Sequence, residues 1–472
     1  MNLALLVFAG VAPWLASLRD TSARGSLKSG FLFGFLFFLF QMYWLVPFVE
    51  RWTGRLGTAL VPWLVSALLA GIVYAPLGWL IRECWRRGWV WLIPLVWAGH
   101  EGFRAYMPVL AFPWAILAGP LGVFPGFVQH AAAGTVFLVS AWALLPNLAL
   151  AMFVWPQLAE GKPRQPPPRL TLWMAVVFCG LMGLSTVRYA QPPPTERKVV
   201  TLGQPGVDMA FTPPEEEQRL LYYAGNLIQS RAMQQGTDLL VFPEGFMAGD
   251  PSRPPYSALG PEPQAPVLMG GRRKEGDKTY QTAFAWDGKA WTYADKTRLV
   301  VFGEYVPFRG LPILSGFNLP SGDLSPADEL NTVTVDGLVV GPFLCFEGVF
   351  PDLAERHGRL GARILAQMSI DDWYERTPAW DQLWLSSVWR SIESGLPLVR
   401  VGGRGRTLAT DVRGNIVAAA PVGQMAALRV ELGVPVGSDA FPYRMGFVFV
   451  CWAVCLGVVA GALLHGRFGP AK

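Results

Sequence analysis

Charge is scarce in this chain of 472 residues: Asp, Glu, Lys and Arg make up only 15% of it, against roughly 25% in ordinary soluble domains. Histidine is scarcer, with four residues, and cysteine numbers five. So little charge argues against a wholly soluble protein. No P-loop and no glycine-rich dinucleotide fingerprint occurs, so nucleotide chemistry of those kinds has no motif to rest on. The hydrophilic part of the chain holds a single histidine, His357, and no metal-ligand spacing. No metal or organic cofactor is implied.

What is present is apolar. Hydrophobic residues reach 52% and aromatics 13%, with a mean hydropathy of +0.32. Uncharged apolar runs cover Met1–Leu18, Gly30–Val49, Leu56–Ile81, Leu121–Trp155, Leu170–Val187 and Met445–Leu464. Most approach the roughly 20 residues that carry a helix across a bilayer. A weaker run, Gly88–His100, leads into Glu101 and Arg104, one helical turn apart and able to neutralise each other within a bundle. Seven spans are expected. Met1–Leu18 lacks a basic start and a clear small-residue cleavage site, so it reads as a retained helix and not a signal peptide.

Lysine and arginine cluster at Arg19–Lys28, at Arg82–Arg87, at Lys162, Arg164 and Arg169, and at Arg467 and Lys472. Seven spans threaded in order put all four clusters on one side, which the positive-inside rule makes cytoplasmic. The +5 net charge goes largely to this bias and implies no nucleic-acid partner. Three regions follow: a helical membrane bundle of about six spans over 1–190, an extracytoplasmic domain over 191–443, and a final span with a cytoplasmic tail over 444–472.

The middle region opens with the linker "QPPPTERK" and has soluble character. Thr212 is placed to cap a helix that has Pro213 in its first turn and Glu215 reaching back; Gly236 stops it after Gln235. "TDLLVF" reads as a strand delivering Glu244. Further strands are expected at 281–286, 297–302, 333–346, 363–368, 397–401, 406–411 and 415–420. Strands broken by helices point to layered sheets and helices.

Cys345, in "GPFLCFEGVFP", is the only cysteine of this region; the other four fall in a cytoplasmic loop or in spans. An exported thiol without an intramolecular partner is not half of a disulfide. By default such a residue is an inert core thiol. Two other stretches weigh against that default: "DLLVFPEGF" ends a strand at Glu244, and "YADKTRLVVFGEYVPF" carries Lys296 and Glu304.

In this order, Glu244, Lys296 and Cys345 resemble the Glu-Lys-Cys arrangement of the nitrilase superfamily. The chain resembles more closely its membrane-bound branch, the apolipoprotein N-acyltransferases. "WAGHEGFR" (97–104) and "FPWAILAG" (112–119) are similar to that family's membrane signatures, and "VFPE", "LVVFGEYVPF", "LCFEG" and "DVRGNIV" to its catalytic-domain segments. The resemblance implies a multi-pass helical membrane domain joined to an extracytoplasmic nitrilase-like αββα sandwich, located in the bacterial inner membrane and facing the periplasm. It implies a membrane phospholipid as acyl donor and the α-amino group of a diacylated apolipoprotein cysteine as acceptor. Glu244 is then general base, Lys296 and the backbone N–H of Phe346 oxyanion donors, Cys345 the nucleophile, and Glu304 and Glu347 supporting carboxylates.

Substrate contacts are expected from Phe211, Trp373 and Tyr374, and from two mobile arms at the membrane surface. One arm follows Glu244 and begins with Phe246 and Met247; the other is the apolar loop 308–320. The chain departs from the family at Ser369-Ile-Asp-Asp-Trp373-Tyr374, at Gly402-Gly-Arg-Gly405 and at Phe211, where relatives often carry tryptophan. These departures leave the Glu-Lys-Cys set intact and fall on recognition. Two other activities stay open: a related acyltransferase or amidase acting on another amine or on water, and a non-catalytic lipoprotein-binding relative.

Overall fold

A computed structural model describes residues 3–154, 168–253, 259–260, 262–312, 319, 322–374 and 377–468. The chain divides into two units: Met1–Ala190 with Tyr443–Lys472, and Gln191–Pro442.

The first unit is helical. Among the described residues, five helices are long and apolar enough to cross a membrane: Ala23–Gln41, Leu56–Arg86, Ala131–Phe153, Arg169–Ala190 and Gly446–Leu464. The first two pack closely enough that a Cβ on Gly30 would sit 2.5 Å from the Tyr74 carbonyl oxygen, the small-residue contact that lets membrane helices approach.

Two expected spans take a shorter form. Met1–Leu18 breaks into a 3-10 turn, Ala4–Phe8, and a six-residue helix, Ala12–Ser17. Asn147 makes the break tolerable: its Oδ1 accepts the N–H groups of Val11 and Ala12 at 2.9 and 3.1 Å, and its Nδ2 donates to the Val7 carbonyl at 2.8 Å. Backbone left unpaired by helix would otherwise be stranded in hydrocarbon. The run from Gly88 yields a 14-residue helix, Ile93–Tyr106. Glu101 and Arg104 serve the chain that follows it: Glu101 accepts the N–H of Leu117 at 2.7 Å, and Arg104 donates to the carbonyls of Trp114 and Ala115. The run Gly30–Val49 spans two helices, since the chain turns after Gln41 and resumes at Leu45–Thr53.

The second unit has four layers. One sheet has the order β12-β1-β2-β3-β4-β5 and the other β11-β10-β9-β8-β7-β6. Their strands are β1 Thr195–Gln204, β2 Leu239–Val241, β3 Val267–Glu275, β4 Lys278–Trp286, β5 Trp291–Asp295, β6 Val333–Val335, β7 Leu338–Leu344, β8 Ile364–Ser369, β9 Leu398–Gly402, β10 Leu408–Thr410, β11 Ile416–Ala419 and β12 Ala426–Pro435. The apolar core between the sheets includes Val200, Val241, Leu268, Val340, Leu344, Ala366 and Val401. The helix Pro214–Gln235 covers the outer face of the first sheet through Leu221, Ile228 and Phe242. The helices Pro351–Arg359 and Pro378–Ser394 connect the parallel strands β7, β8 and β9. This is the αββα sandwich.

Local expectations differ at two places. The helix after Phe211 starts at Pro214, with Pro213 as its cap residue, so the Thr212 hydroxyl caps nothing. Residues 297–302 form no strand and contribute only an isolated bridge between Val301 and Tyr305. The N–H groups of Thr297, Arg298 and Val300 are taken by carboxylates instead, as described next.

Candidate active site

Three strand ends supply the chemistry. β2 runs out at Val241, and pairing with β3 continues through Phe242 and Pro243 to present Glu244. A Cβ on Gly270 of β3 would lie 2.5 Å from the Glu244 Cα, so only glycine lets the two backbones come so close. Lys296 follows β5, tied by its N–H to the Gln281 carbonyl at 2.8 Å. Cys345 follows β7 and opens a short helical turn, Cys345–Val349.

Cys345 has φ +49°, a left-handed conformation that strains any residue with a Cβ and recurs at functional bends. The bend is held from outside: Gln367 donates to the Cys345 carbonyl at 2.9 Å, and Arg390 donates to the Val349 carbonyl at 2.9 Å.

The Lys296 ammonium, fully buried, donates to Glu244 Oε1 at 3.1 Å and to Glu304 Oε1 at 2.6 Å. Glu304 uses its other oxygen to accept the Val300 N–H at 2.9 Å. Glu347 accepts the N–H and hydroxyl of Thr297, both at 2.8 Å, the Arg298 N–H at 3.1 Å and the Leu344 N–H at 2.9 Å. The segment expected as a strand is therefore moulded around two carboxylates, and it fixes Lys296 from both sides.

The charges act on one another. Burial pushes the Glu244 carboxyl up to about 7 despite the pull of Lys296, and the negative charge of Glu304 adds to the push. Burial by itself would lower Lys296, but Glu244 and Glu304 outweigh it and hold the ammonium well above its usual range. Burial and the Glu244 charge push the Cys345 thiol up to about 12, with Lys296 opposing. At neutral pH the resting thiol is protonated, Lys296 is charged and Glu244 is divided between acid and base. Such an arrangement can pass a proton from sulfur to carboxylate as a bond forms, and can place a cation beside a developing oxyanion.

The other expected residues fall into two groups. Phe211 and Trp373 come together, ring centroids 5.6 Å apart at 69°. Tyr374 is buried, and burial together with the Cys345 charge holds its hydroxyl well above the usual range. Phe346 is also buried, its ring 5.4 Å from that of Phe350. Phe246 and Met247, expected to begin a mobile arm, are core residues: Phe246 stacks on Phe242 at 4.0 Å, and both are buried under the helix 214–235. Residues 254–258 and most of the loop 308–320 lie outside the described residues.

Sequence reading passed over Gln367 and placed Ser369 and Asp371 only in the departing segment 369–374, with no role beside the cysteine. The Ser369 hydroxyl lies 3.5 Å from the Cys345 sulfur and donates to Asp371 at 2.7 Å. Polar residues at alternate positions, Gln367, Ser369 and Asp371, along and just past the otherwise apolar run 364–370 were the available signal.

Two buried sheets with a cysteine, a lysine and glutamates at their strand ends define a nitrilase-like carbon-nitrogen hydrolase unit. The family model for carbon-nitrogen hydrolase matches residues 199–432, and that for the apolipoprotein N-acyltransferase N-terminal domain matches residues 1–149. The chain belongs to the apolipoprotein N-acyltransferase family. The apolipoprotein N-acyltransferase of Geobacter metallireducens is 29% identical, over 98% of this chain and 91% of that protein. That of Pseudomonas paraeruginosa is 26% identical, over 99% and 93%. Among solved structures, Saccharomyces cerevisiae Nit3, a member of branch 10 of the nitrilase superfamily, is 19% identical with a TM-score of 0.38, covering 51% of this chain and 91% of that one.

Proposed function

We propose that this membrane protein transfers a fatty acyl group from a phospholipid to the α-amino group of the diacylglyceryl-cysteine that begins a bacterial apolipoprotein. The reaction runs through an S-acyl thioester on Cys345. What supports this reading most is the buried Glu244–Lys296–Glu304 cluster, whose charges act directly on the thiol of a strained cysteine.

In the first half-reaction, Glu244 takes the thiol proton as sulfur attacks the ester carbonyl. Lys296 and the Phe346 N–H stabilise the oxyanion. Collapse expels the lysophospholipid alkoxide, which takes the proton from Glu244. In the second, the acceptor amine attacks the thioester, Glu244 removes its proton, and collapse returns that proton to the Cys345 thiolate. Glu304 and Glu347 keep Lys296 charged and in place. Phe211, Trp373 and Tyr374 contribute to the substrate side, and the loop 308–320 admits acyl chains.

The catalytic unit faces outward from the bacterial inner membrane in this reading. The short segments Ala4–Ser17 and Val90–Tyr106 cross together with the five long helices, which leaves the basic loops on the cytoplasmic side.

Mass spectrometry tests the proposal. Purified protein incubated with phospholipid should gain one acyl group on Cys345, and a diacylated lipopeptide added afterwards should become N-acylated. Cys345→Ser should show neither. Adduct formation with release only as free fatty acid would make the protein a hydrolase; absence of any adduct would leave a binding protein.

A further inference from the structure

We propose that Asp371 is a positioning residue that sets the Ser369 hydroxyl against the Cys345 sulfur, forming a second polar relay on the thiol in addition to the Glu244–Lys296 pair. The proposal rests on Cys345 being the nucleophile.

The sheet register creates the relay. β7 and β8 run parallel with Leu344 beside Met368, so Cys345, just past the end of β7, stands beside Ser369, the last residue of β8. Ser369 is fully buried, its hydroxyl 3.5 Å from Sγ and 2.7 Å from Asp371 Oδ1. Asp371 is locked in turn. Arg400, on the neighbouring strand β9, donates to both its oxygens at 2.6 and 2.7 Å, the Arg406 N–H reaches Oδ2 at 3.2 Å, and Trp380 Nε1 donates to its carbonyl at 2.5 Å. Arg400 and Asp371 are both fully buried.

The glycine segment 402–405 belongs to this arrangement. A Cβ on Gly405 would lie 2.3 Å from Asp371 Oδ2, and one on Gly402 would lie 3.1 Å from the same atom. Positions 402 and 405 are bare of side chains where the carboxylate has to sit.

The chemistry follows from the number of protons available. Ser369 has one, and in the resting site it goes to Asp371 while the hydroxyl oxygen faces the neutral thiol. When Glu244 removes the thiol proton, the Ser369 O–H turns to the sulfur anion. Asp371 can release it because Arg400 and Arg406 still satisfy both its oxygens. After the thioester forms, the hydroxyl returns to Asp371. No heavy-atom bond changes and no co-reactant is consumed.

The test is the pH profile of Cys345 alkylation by iodoacetamide in the full-length, detergent-solubilised protein, read on the Cys345 peptide by mass spectrometry. Ser369→Ala should move the profile to higher pH and slow alkylation about tenfold near neutrality, equivalent to one pH unit of thiol acidity. Ser369→Thr keeps the hydroxyl and should stay within about threefold of the parent. Asp371→Asn should repeat the Ser369→Ala loss, and the double variant should lose no more than either alone, as members of one relay do. A parental profile in Ser369→Ala, or fully additive losses in the double variant, overturns the proposal. If Asp371→Asn does not fold, the Ala–Thr contrast at Ser369 decides the matter. Alkylation needs no acyl donor, so failure of the acyl-transfer reading would show separately, as absence of an adduct from phospholipid.

Discussion

Glu347, two residues after Cys345, holds the backbone N–H groups of Thr297 and Arg298 on one carboxylate oxygen, and so the turn that carries the cysteine also anchors the segment that carries Lys296. Its other oxygen accepts the Leu344 N–H at the end of β7. All four hydrogen bonds to this side chain point inward. Glu347→Gln puts an NH2 where only an acceptor fits, at a cost of about 1–3 kcal/mol for the buried N–H left unpaired. Thermal melting should show that loss, and acyl-adduct formation on Cys345 should slow at least about tenfold as Lys296 drifts.

Glu244 sets the pH dependence. Its carboxyl is pushed from 4.5 up to about 7 by burial, and it acts as a base only when ionised. The rate of adduct formation should rise with pH through about 7 and then level off. Glu244→Gln should abolish the rise together with the activity. Stability has the opposite sign: a carboxyl raised in the fold binds more protons there than when unfolded, so stability falls as pH climbs between 4.5 and about 7. The variant should flatten that fall, which denaturant titrations at several pH values would measure.

Lys296→Met removes the cation that two carboxylates share. Breaking a buried pair in this way costs about 3–5 kcal/mol, because the remaining charge has no partner. The loss should be smaller at low pH, where Glu244 can protonate. Adding Glu304→Gln should recover part of the stability and none of the activity. Melting curves at two pH values check the first statement, and adduct mass spectrometry the second.

Asn147 is the corresponding pivot of the membrane unit. Asn147→Leu keeps the volume but strands the N–H groups of Val11 and Ala12 and the carbonyl of Val7. Each unsatisfied group costs on the order of 1–3 kcal/mol. The melting temperature of the detergent-solubilised protein should drop clearly, while Asn147→Gln, which keeps both donor and acceptor, should retain part of it.

Hydrophobic length and spacing alone determined that this is a membrane protein with an inserted α/β unit, because a bilayer imposes its thickness on any apolar run. Glu244 and Cys345 were readable for a similar reason, since each follows an apolar strand and stands at its end; Lys296 was readable from its place before the apolar run 299–302 and from the family order Glu-Lys-Cys. What could not be read was the fate of the backbone. Residues 297–302 have the composition of a strand, and Met1–Leu18 that of a single helix, yet in both a distant side chain supplies the hydrogen bonds that regular structure would have made. β12 was passed over because its partner β1 lies far away in sequence; β3 and β5 pair with the adjacent β4, but their Gly-Gly-Arg-Arg-Lys-Glu and Trp-Thr-Tyr-Ala-Asp stretches hide the strand pattern. Only the tertiary structure could decide that Phe246 is core, and that Ser369, Asp371 and Arg400 meet behind the cysteine. Local composition records which groups a segment offers; which of them are used is settled by whatever the fold brings alongside.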